Sequence, residues 1–209
     1  MTEQILNPAS LIDWSVAARA LPGQPVSGDM HLIKPFTDGI LIAAVDGLGH
    51  GDEATMAAKA AIDTLTQYAE ESVISLAHRC NAALTRTRGV VMTAAVLNRR
   101  DETVTWLGIG NVEGRLLRAD AKAMPPSESV LLRGGVVGYQ MPTLQASVLP
   151  LGRGDVLILA TDGIRVGFTA GLAWSDPPKQ IAARIVVRYF KGNDDALVLV
   201  VRYLGLHYD

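Results

Sequence analysis

Asp29-Met-His-Leu-Ile-Lys-Pro-Phe-Thr-Asp-Gly-Ile-Leu-Ile-Ala-Ala-Val-Asp46 contains two apolar runs, Met30 to Phe36 and Gly39 to Val45, separated by Thr37-Asp38-Gly39. Asp-Gly between such runs is a strong hairpin signal, because glycine accepts the positive φ of a tight turn. An antiparallel hairpin brings its two outer ends together, so Asp29 and Asp46 are expected at the same end of a sheet. Neighbouring carboxylates repel unless a cation neutralises them. Two further aspartate motifs, Thr161-Asp-Gly163 and Asn193-Asp-Asp195, also sit at the edges of apolar runs. Together with Ser27-Gly-Asp29 and Val45-Asp-Gly47, they predict a carboxylate-bound metal centre built at strand ends.

Outward from the hairpin, Leu11 to Ala20 alternates like a strand, and the proline- and glycine-rich Leu21 to Gly28 must turn. After Asp46 the period changes. Ala54, Ala58, Ala61, Ile62 and Leu65 recur at helical spacing over Asp52 to Tyr68. Ser72 is a plausible N-cap for a second helix whose stripe is Val73, Leu76, Ala77, Cys80 and Leu84. Cys80 thus reads as a small core residue. Val90 to Leu97, Thr103 to Ile109 and Val112 to Leu117 read as an antiparallel meander, and Val130 to Leu132 as another short strand. Asp155 to Ala160 is an apolar strand that delivers Asp162. Pro177-Pro178 opens a helix containing Ile181, Ile185 and Tyr189, and Ala196 to Leu204 closes the series as a buried strand. Without a repeat, low-complexity tract or linker, residues 1–209 read as one domain in which strand runs alternate with helix blocks.

Composition narrows the function classes. The chain is 49% hydrophobic and 19% charged, with net charge -2. Its arginines are scattered, so a basic stripe for nucleic acid is absent. No apolar run has bilayer length, and no basic leader precedes an apolar stretch. The single cysteine offers no internal disulfide. A cytoplasmic protein without a nucleic-acid, membrane or disulfide-linked partner is expected.

Each acidic motif has a bland alternative. Asp29 and Asp162 suit ordinary turns, Asp194-Asp195 suits a solvated acidic pair, and Asp52 suits the start of a helix. The loop Gly47-Leu-Gly-His-Gly51 lacks the Gly-x-Gly-x-x-Gly spacing of a dinucleotide loop and the lysine of a Walker loop. A helix-start turn, for which Asp52 alone suffices, leaves Asp46 unexplained. Two of the aspartates precede glycines, which are expected to let backbone approach a ligand. His50, between glycines, suits either a phosphate or leaving-group contact or plain solvent exposure. His31, His78 and His207 show no ligand spacing. An all-oxygen set favours Mg²⁺ or Mn²⁺ over zinc.

The ordered set Val26-Ser-Gly-Asp29, Ala44-Val-Asp-Gly-Leu-Gly-His-Gly51, Gly108-Ile-Gly-Asn-Val-Glu-Gly114, Gly154-Asp-Val-Leu-Ile-Leu-Ala-Thr-Asp-Gly163 and Asn193-Asp-Asp195 resembles the metal-dependent protein phosphatase (PPM) family. The likeness is to its bacterial branch with SpoIIE, RsbU and the single-domain RsbX. The resemblance implies an α+β fold, a four-layer α-β-β-α sandwich of two antiparallel sheets flanked by helices. It also implies two Mn²⁺ or Mg²⁺ ions. Carried over by position, Asp46 bridges the ions, the Gly47 carbonyl binds one, Asp162 and Asp194 complete the other shell, with Asp195 open as the alternative to Asp194, and Asp29 supports the site directly or through water. Leu197 stands where the family usually has threonine, which removes a hydroxyl near Asp194. Leu48 often has methionine as its counterpart.

The implied activity is hydrolysis of phosphoserine or phosphothreonine in a partner protein, with a phosphorylated STAS-domain protein of a stressosome as the expected substrate. Asp46 and Asp162 act through the metal site, and either metal-bound water or His50 is the candidate proton donor. Arg19 is a candidate phosphate contact or a surface residue. A catalytically silent binding module with the same fold is the alternative from another class. An aspartyl-phosphate mechanism fails on its motif, because Asp46 is followed by Gly47-Leu48 and not by a second aspartate two positions on.

Overall fold

The hairpin forms with Phe36 opposite Gly39 and Asp29 opposite Asp46. In the computed structural model, residues 11–21, 23 and 26–205 are described. His207 and part of the turn after the first strand lie outside them. The elements begin with β1 (Ile12–Arg19), β2 (Asp29–Phe36), β3 (Gly39–Gly47), α1 (Asp52–Gln67), α2 (Val73–Ala83), β4 (Val90–Asn98) and β5 (Thr103–Ile109). They continue with β6 (Glu113–Leu117), β7 (Ser127–Ser129), β8 (Leu132–Arg133), β9 (Ser147–Pro150), β10 (Val156–Ala160), α3 (Pro178–Tyr189) and β11 (Ala196–Tyr203).

One sheet runs β1-β11-β10-β6-β7, and the other runs β2-β3-β4-β5-β8 with β9 also paired to β5. All named pairings are antiparallel except β5 with β8. Strand alternation divides the apolar residues between layers. Ile40, Ile42 and Ala44 of β3 join Leu157, Leu159, Leu197, Leu199 and Val201 in the core between the sheets. Their neighbours Leu41, Ala43 and Val45 face a second core with α1 and α2. On the far side, Ile158, Val198 and Val200 pack with Ile181, Ala182 and Ile185 of α3. The order is therefore helix, sheet, sheet, helix, as expected. The chain does not form the expected three-strand meander. β4 and β5 pair, but β6 crosses to the other sheet beside β10. Buried Thr93 of β4 holds that crossing, its Oγ1 donating to the Val112 carbonyl at 2.6 Å.

Other local details also depart from expectation. Val130 lies between β7 and β8, in place of the single strand expected over Val130 to Leu132, and β9 is a strand beyond those expected. Ser72 caps α2 by accepting from the Ser75 N–H. The cap of α1 is Gly51, with φ 74°, a conformation that favours glycine, and Asp52 follows as the first helical residue. There its carboxylate sits at the positive end of the helix dipole. Among the described residues, no helix is long and apolar enough to cross a membrane.

Candidate metal centre

The same two-residue period that builds the inter-sheet core aims the acidic residues. Asp46 continues the inner face of Ile40, Ile42 and Ala44, and Asp29 is its register partner. From the opposite sheet, Thr161 continues the face of Leu157 and Leu159, and Asp195 that of Leu197 and Leu199. Asp162 and Asp194 lie just outside their strands, in loops that turn outward. The result is a cavity of about 400 Å³ at one end of the sandwich, with Asp46, Asp162, Asp194, Asn111, His50 and Gly49 in its wall. Two other clefts, around Phe36, Glu70 and Glu71, lie near the β2–β3 turn at the opposite end of the hairpin.

Each aspartate has a different environment. Asp29 is buried beneath the cavity and accepts from the Thr161 hydroxyl at 2.7 Å. Burial pushes its carboxyl up to about 7; the Thr161 hydrogen bond opposes this, and the charges of Asp195, Asp162 and Asp194 add to it. Asp46 is pushed up to about 8, first by burial and then by Asp29, Asp162, Asp194 and Asp195. No described residue donates a hydrogen bond to its carboxylate. Asp162 is raised by burial and by Asp194, against the lowering effects of Lys191 and of the Asn111 amide, which donates to it at 2.8 Å. Asp194 accepts from the Asp195 N–H at 2.8 Å. Asp195 is buried, is not part of the cavity wall, and ties down the chain after β1, accepting from the Leu21 and Gly28 N–H groups, both at 2.6 Å.

Buried Asp155 supplies the contrast. Its carboxylate pairs with Arg118 at 3.0 Å and accepts from the backbone N–H groups of Ala119 and Gly152. That arrangement satisfies a buried charge internally. Asp46 has no such partner and is surrounded by charges of its own sign, an arrangement that a hard cation would relieve. Among the described residues, no three carboxylate, imidazole or thiol groups close into a ready-made cage. An open set of oxygen donors around a cavity with room for water suits Mg²⁺ or Mn²⁺, which keep several waters when bound.

The expected residues are thus placed unequally. Asp46, Asp162, Asp194 and His50 reach the cavity; Asp29 lies below it; Gly47 is buried and is not part of its wall. The glycines after Asp46 and Asp162 chiefly admit protein backbone, not a ligand as expected. A Cβ on Gly47 would overlap the Ala54 carbonyl, and one on Gly163 the Asp195 carbonyl. Arg19 stands over the Phe190 ring, 5.6 Å from its centroid, and not in the cavity wall. Asn111 and Thr161 have no role in the sequence-based expectations, and Asp195 stands in them only beside Asp194 in the Asn193-Asp-Asp195 motif. Asn111 lay within a motif quoted for the family resemblance, and Thr161 shares strand parity with Leu157 and Leu159, so both had a signal. Thr161, just after β10, accepts from the Leu197 N–H at 2.8 Å, and its hydroxyl serves Asp29 and not Asp194.

The family model for stage II sporulation protein E (SpoIIE) matches residues 37–204. The chain belongs to the SpoIIE family of PPM phosphatases. Its enzyme class is accordingly serine/threonine protein phosphatase. Phosphoserine phosphatase RsbX of Bacillus subtilis (strain 168) is 29% identical to this SpoIIE-family chain over 145 residues, covering 69% of this chain and 70% of that protein. A structure described as "The bacterial stressosome: a modular system that has been adapted to control secondary messenger signaling" superposes with a TM-score of 0.83 at 26% identity, covering 91% of this chain and 99% of that one. RsbX in complex with magnesium superposes with a TM-score of 0.81 at 23% identity, covering 92% and 95%, a likeness of fold.

Proposed function

We propose that this SpoIIE-family member is a metal-dependent phosphatase that removes phosphate from serine or threonine of a STAS-domain protein in a stressosome. The carrying observation is Asp46, a partly buried carboxylate without a hydrogen-bond donor among the described residues, facing Asp162 and Asp194 across one cavity. The RsbX likeness and the stressosome neighbour support the substrate class. Residues 1–209 are proposed to act as one domain in the cytoplasm.

Asp46, Asp162 and Asp194 would hold two Mg²⁺ or Mn²⁺ ions, with the Gly47 carbonyl as a further donor and Asp29 in support. Bound there, such ions neutralise phosphoryl charge and supply a water-derived nucleophile at neutral pH. The chain's own groups give the site its shape. The Asn111 amide orients Asp162, and the Thr161 hydroxyl orients Asp29. His50, exposed in the cavity wall, is the only titratable wall residue described there besides the three aspartates. It is assigned to hand a proton to the departing serine oxygen.

The test uses purified protein, phosphorylated STAS proteins and unrelated phosphoserine proteins, with and without Mn²⁺ or Mg²⁺. Release of phosphate should require metal, favour the STAS substrates and vanish in Asp46→Asn. Full activity in excess chelator would reject the metal-dependent mechanism, and equal rates on all substrates would reject the STAS assignment.

A further inference from the structure

The wall that gathers Asp46, Asp162 and Asp194 contains no lysine or arginine among its described residues. A phosphomonoester dianion entering it meets charges of its own sign. Cations held by the carboxylates offset part of that repulsion, but they supply no directional N–H donors. A guanidinium does, through a fork that matches two phosphoryl oxygens.

Among the described residues, Lys191 and Arg88 act on or touch this wall. Lys191 lowers the Asp162 carboxyl through its charge, so its effect falls on the acidic wall itself. Arg88, just before β4, lines a neighbouring cleft with Glu53, Met56, Arg86 and Thr87 and reaches the acidic wall at Gly49. A Cβ placed on Gly49, a wall residue with φ 91°, would lie 2.6 Å from Arg88 Nη1. The guanidinium therefore rests against the Gly49 backbone, one residue from His50. The segment carrying it is fixed. The Gly89 carbonyl accepts from the Leu48 N–H at 3.1 Å, and the Gly89 N–H donates to Thr87 Oγ1 at 3.0 Å.

Arg88 Nε pairs with Glu53 Oε2 in the first turn of α1, and the two side chains are 53% and 66% exposed. Ion pairs this exposed contribute little, so exchanging Glu53 for a better anion costs little. We propose that Arg88 is a substrate-phosphate anchor of this site, held in reserve by Glu53 and released to the phosphoryl oxygens when a phosphoserine enters past Gly49. The proposal deepens the phosphatase reading and rests on it for the identity of the anion. Glu53 then acts as a positioning residue that competes with substrate for the guanidinium.

The experiment measures KM and kcat on a phosphoserine peptide, and the Kd for inorganic phosphate by calorimetry, both with Mg²⁺. Arg88→Ala should raise KM and the phosphate Kd on the order of tenfold, the loss expected for a charged hydrogen-bonded contact, with a smaller change in kcat. Arg88→Lys should fall between, retaining charge without the fork. Glu53→Gln should shift both constants the other way, and that gain should disappear in the Arg88→Ala background. An unchanged phosphate Kd in Arg88→Ala overturns the proposal. So does an equal gain from Glu53→Gln with or without Arg88, or an equal loss from Lys191→Ala, since either reports a general field. Arg88-dependent phosphate binding without turnover would reject hydrolysis and keep the anchor. Turnover with Arg88-independent binding would do the reverse, and no phosphate binding by the unaltered protein would remove the anchor.

Discussion

Asp46 joins chemistry and stability in one side chain. Its ordinary value is 3.8, and the folded protein pushes it to about 8. Between those values the metal-free folded state holds a proton that the unfolded chain releases, so stability falls as pH rises through the window. Above about 8 the folded state bears the full cost, on the order of a few kcal/mol by linkage. Asp29, raised to about 7, acts in the same direction. The urea midpoint of chelated protein is therefore expected to be lower at pH 9 than at pH 5. Asp46→Asn should flatten that dependence and raise stability at pH 9 while abolishing phosphatase activity. A parallel pH profile for the variant would show that Asp46 is not the strained group. Cys80 differs in that burial acts alone, its thiol pushed up to about 12. Alkylation of the folded protein at pH 8 should be negligible until denaturant is added; rapid labelling would contradict the buried placement.

At the scale of elements, close backbone approaches aim the loops that carry the carboxylates. Gly163 follows Asp162, and a side chain there would overlap the Asp195 carbonyl just before β11. Gly163→Ala should force the two loops apart and destabilise the protein by about 1–3 kcal/mol, as overpacking does. Chemical denaturation measures this, and a neutral effect would mean that the loops separate freely. Thr93 plays the corresponding part at the crossing from β5 to β6. Thr93→Val keeps the shape but leaves the Val112 carbonyl without that donor in a buried setting, at about 1–3 kcal/mol. An unaltered denaturation midpoint would show that the crossing is held by packing alone.

Over the whole molecule, the candidate ligands come from both sheets, with Asp29 and Asp46 on one and Asp162 and Asp194 just beyond strand ends of the other. A cation bound between them couples the sheets, so binding is also stabilisation. At a metal concentration one hundred times Kd, mass action adds about 2.7 kcal/mol per site. The thermal midpoint should rise with Mg²⁺ or Mn²⁺ and fall again with chelator, and Asp46→Asn should lose most of the rise. A metal-insensitive midpoint with intact activity would separate the carboxylate cluster from the chemistry.

Much of this was legible in the residues because the relevant periods are local. Alternation from Ile40 to Asp46 fixed which face the aspartate shares, and Asp38-Gly39 set the register that places it beside Asp29. Helical spacing in Ala54 to Leu65 and in Val73 to Leu84 needed no knowledge of partners. Sheet membership is a different kind of quantity. The antiparallel look of residues 90–117 was right for β4 and β5 and wrong for β6, because adjacent strands in sequence pair or part according to distant segments such as β10. Adjacent Asp194 and Asp195 were likewise inseparable in sequence. Folding gave the first to the cavity and locked the second onto the Leu21 and Gly28 amides. Strand faces and turns follow from bonds along the chain, whereas the roles of Asn111, Thr161 and Arg88 depend on which backbones meet across the sandwich.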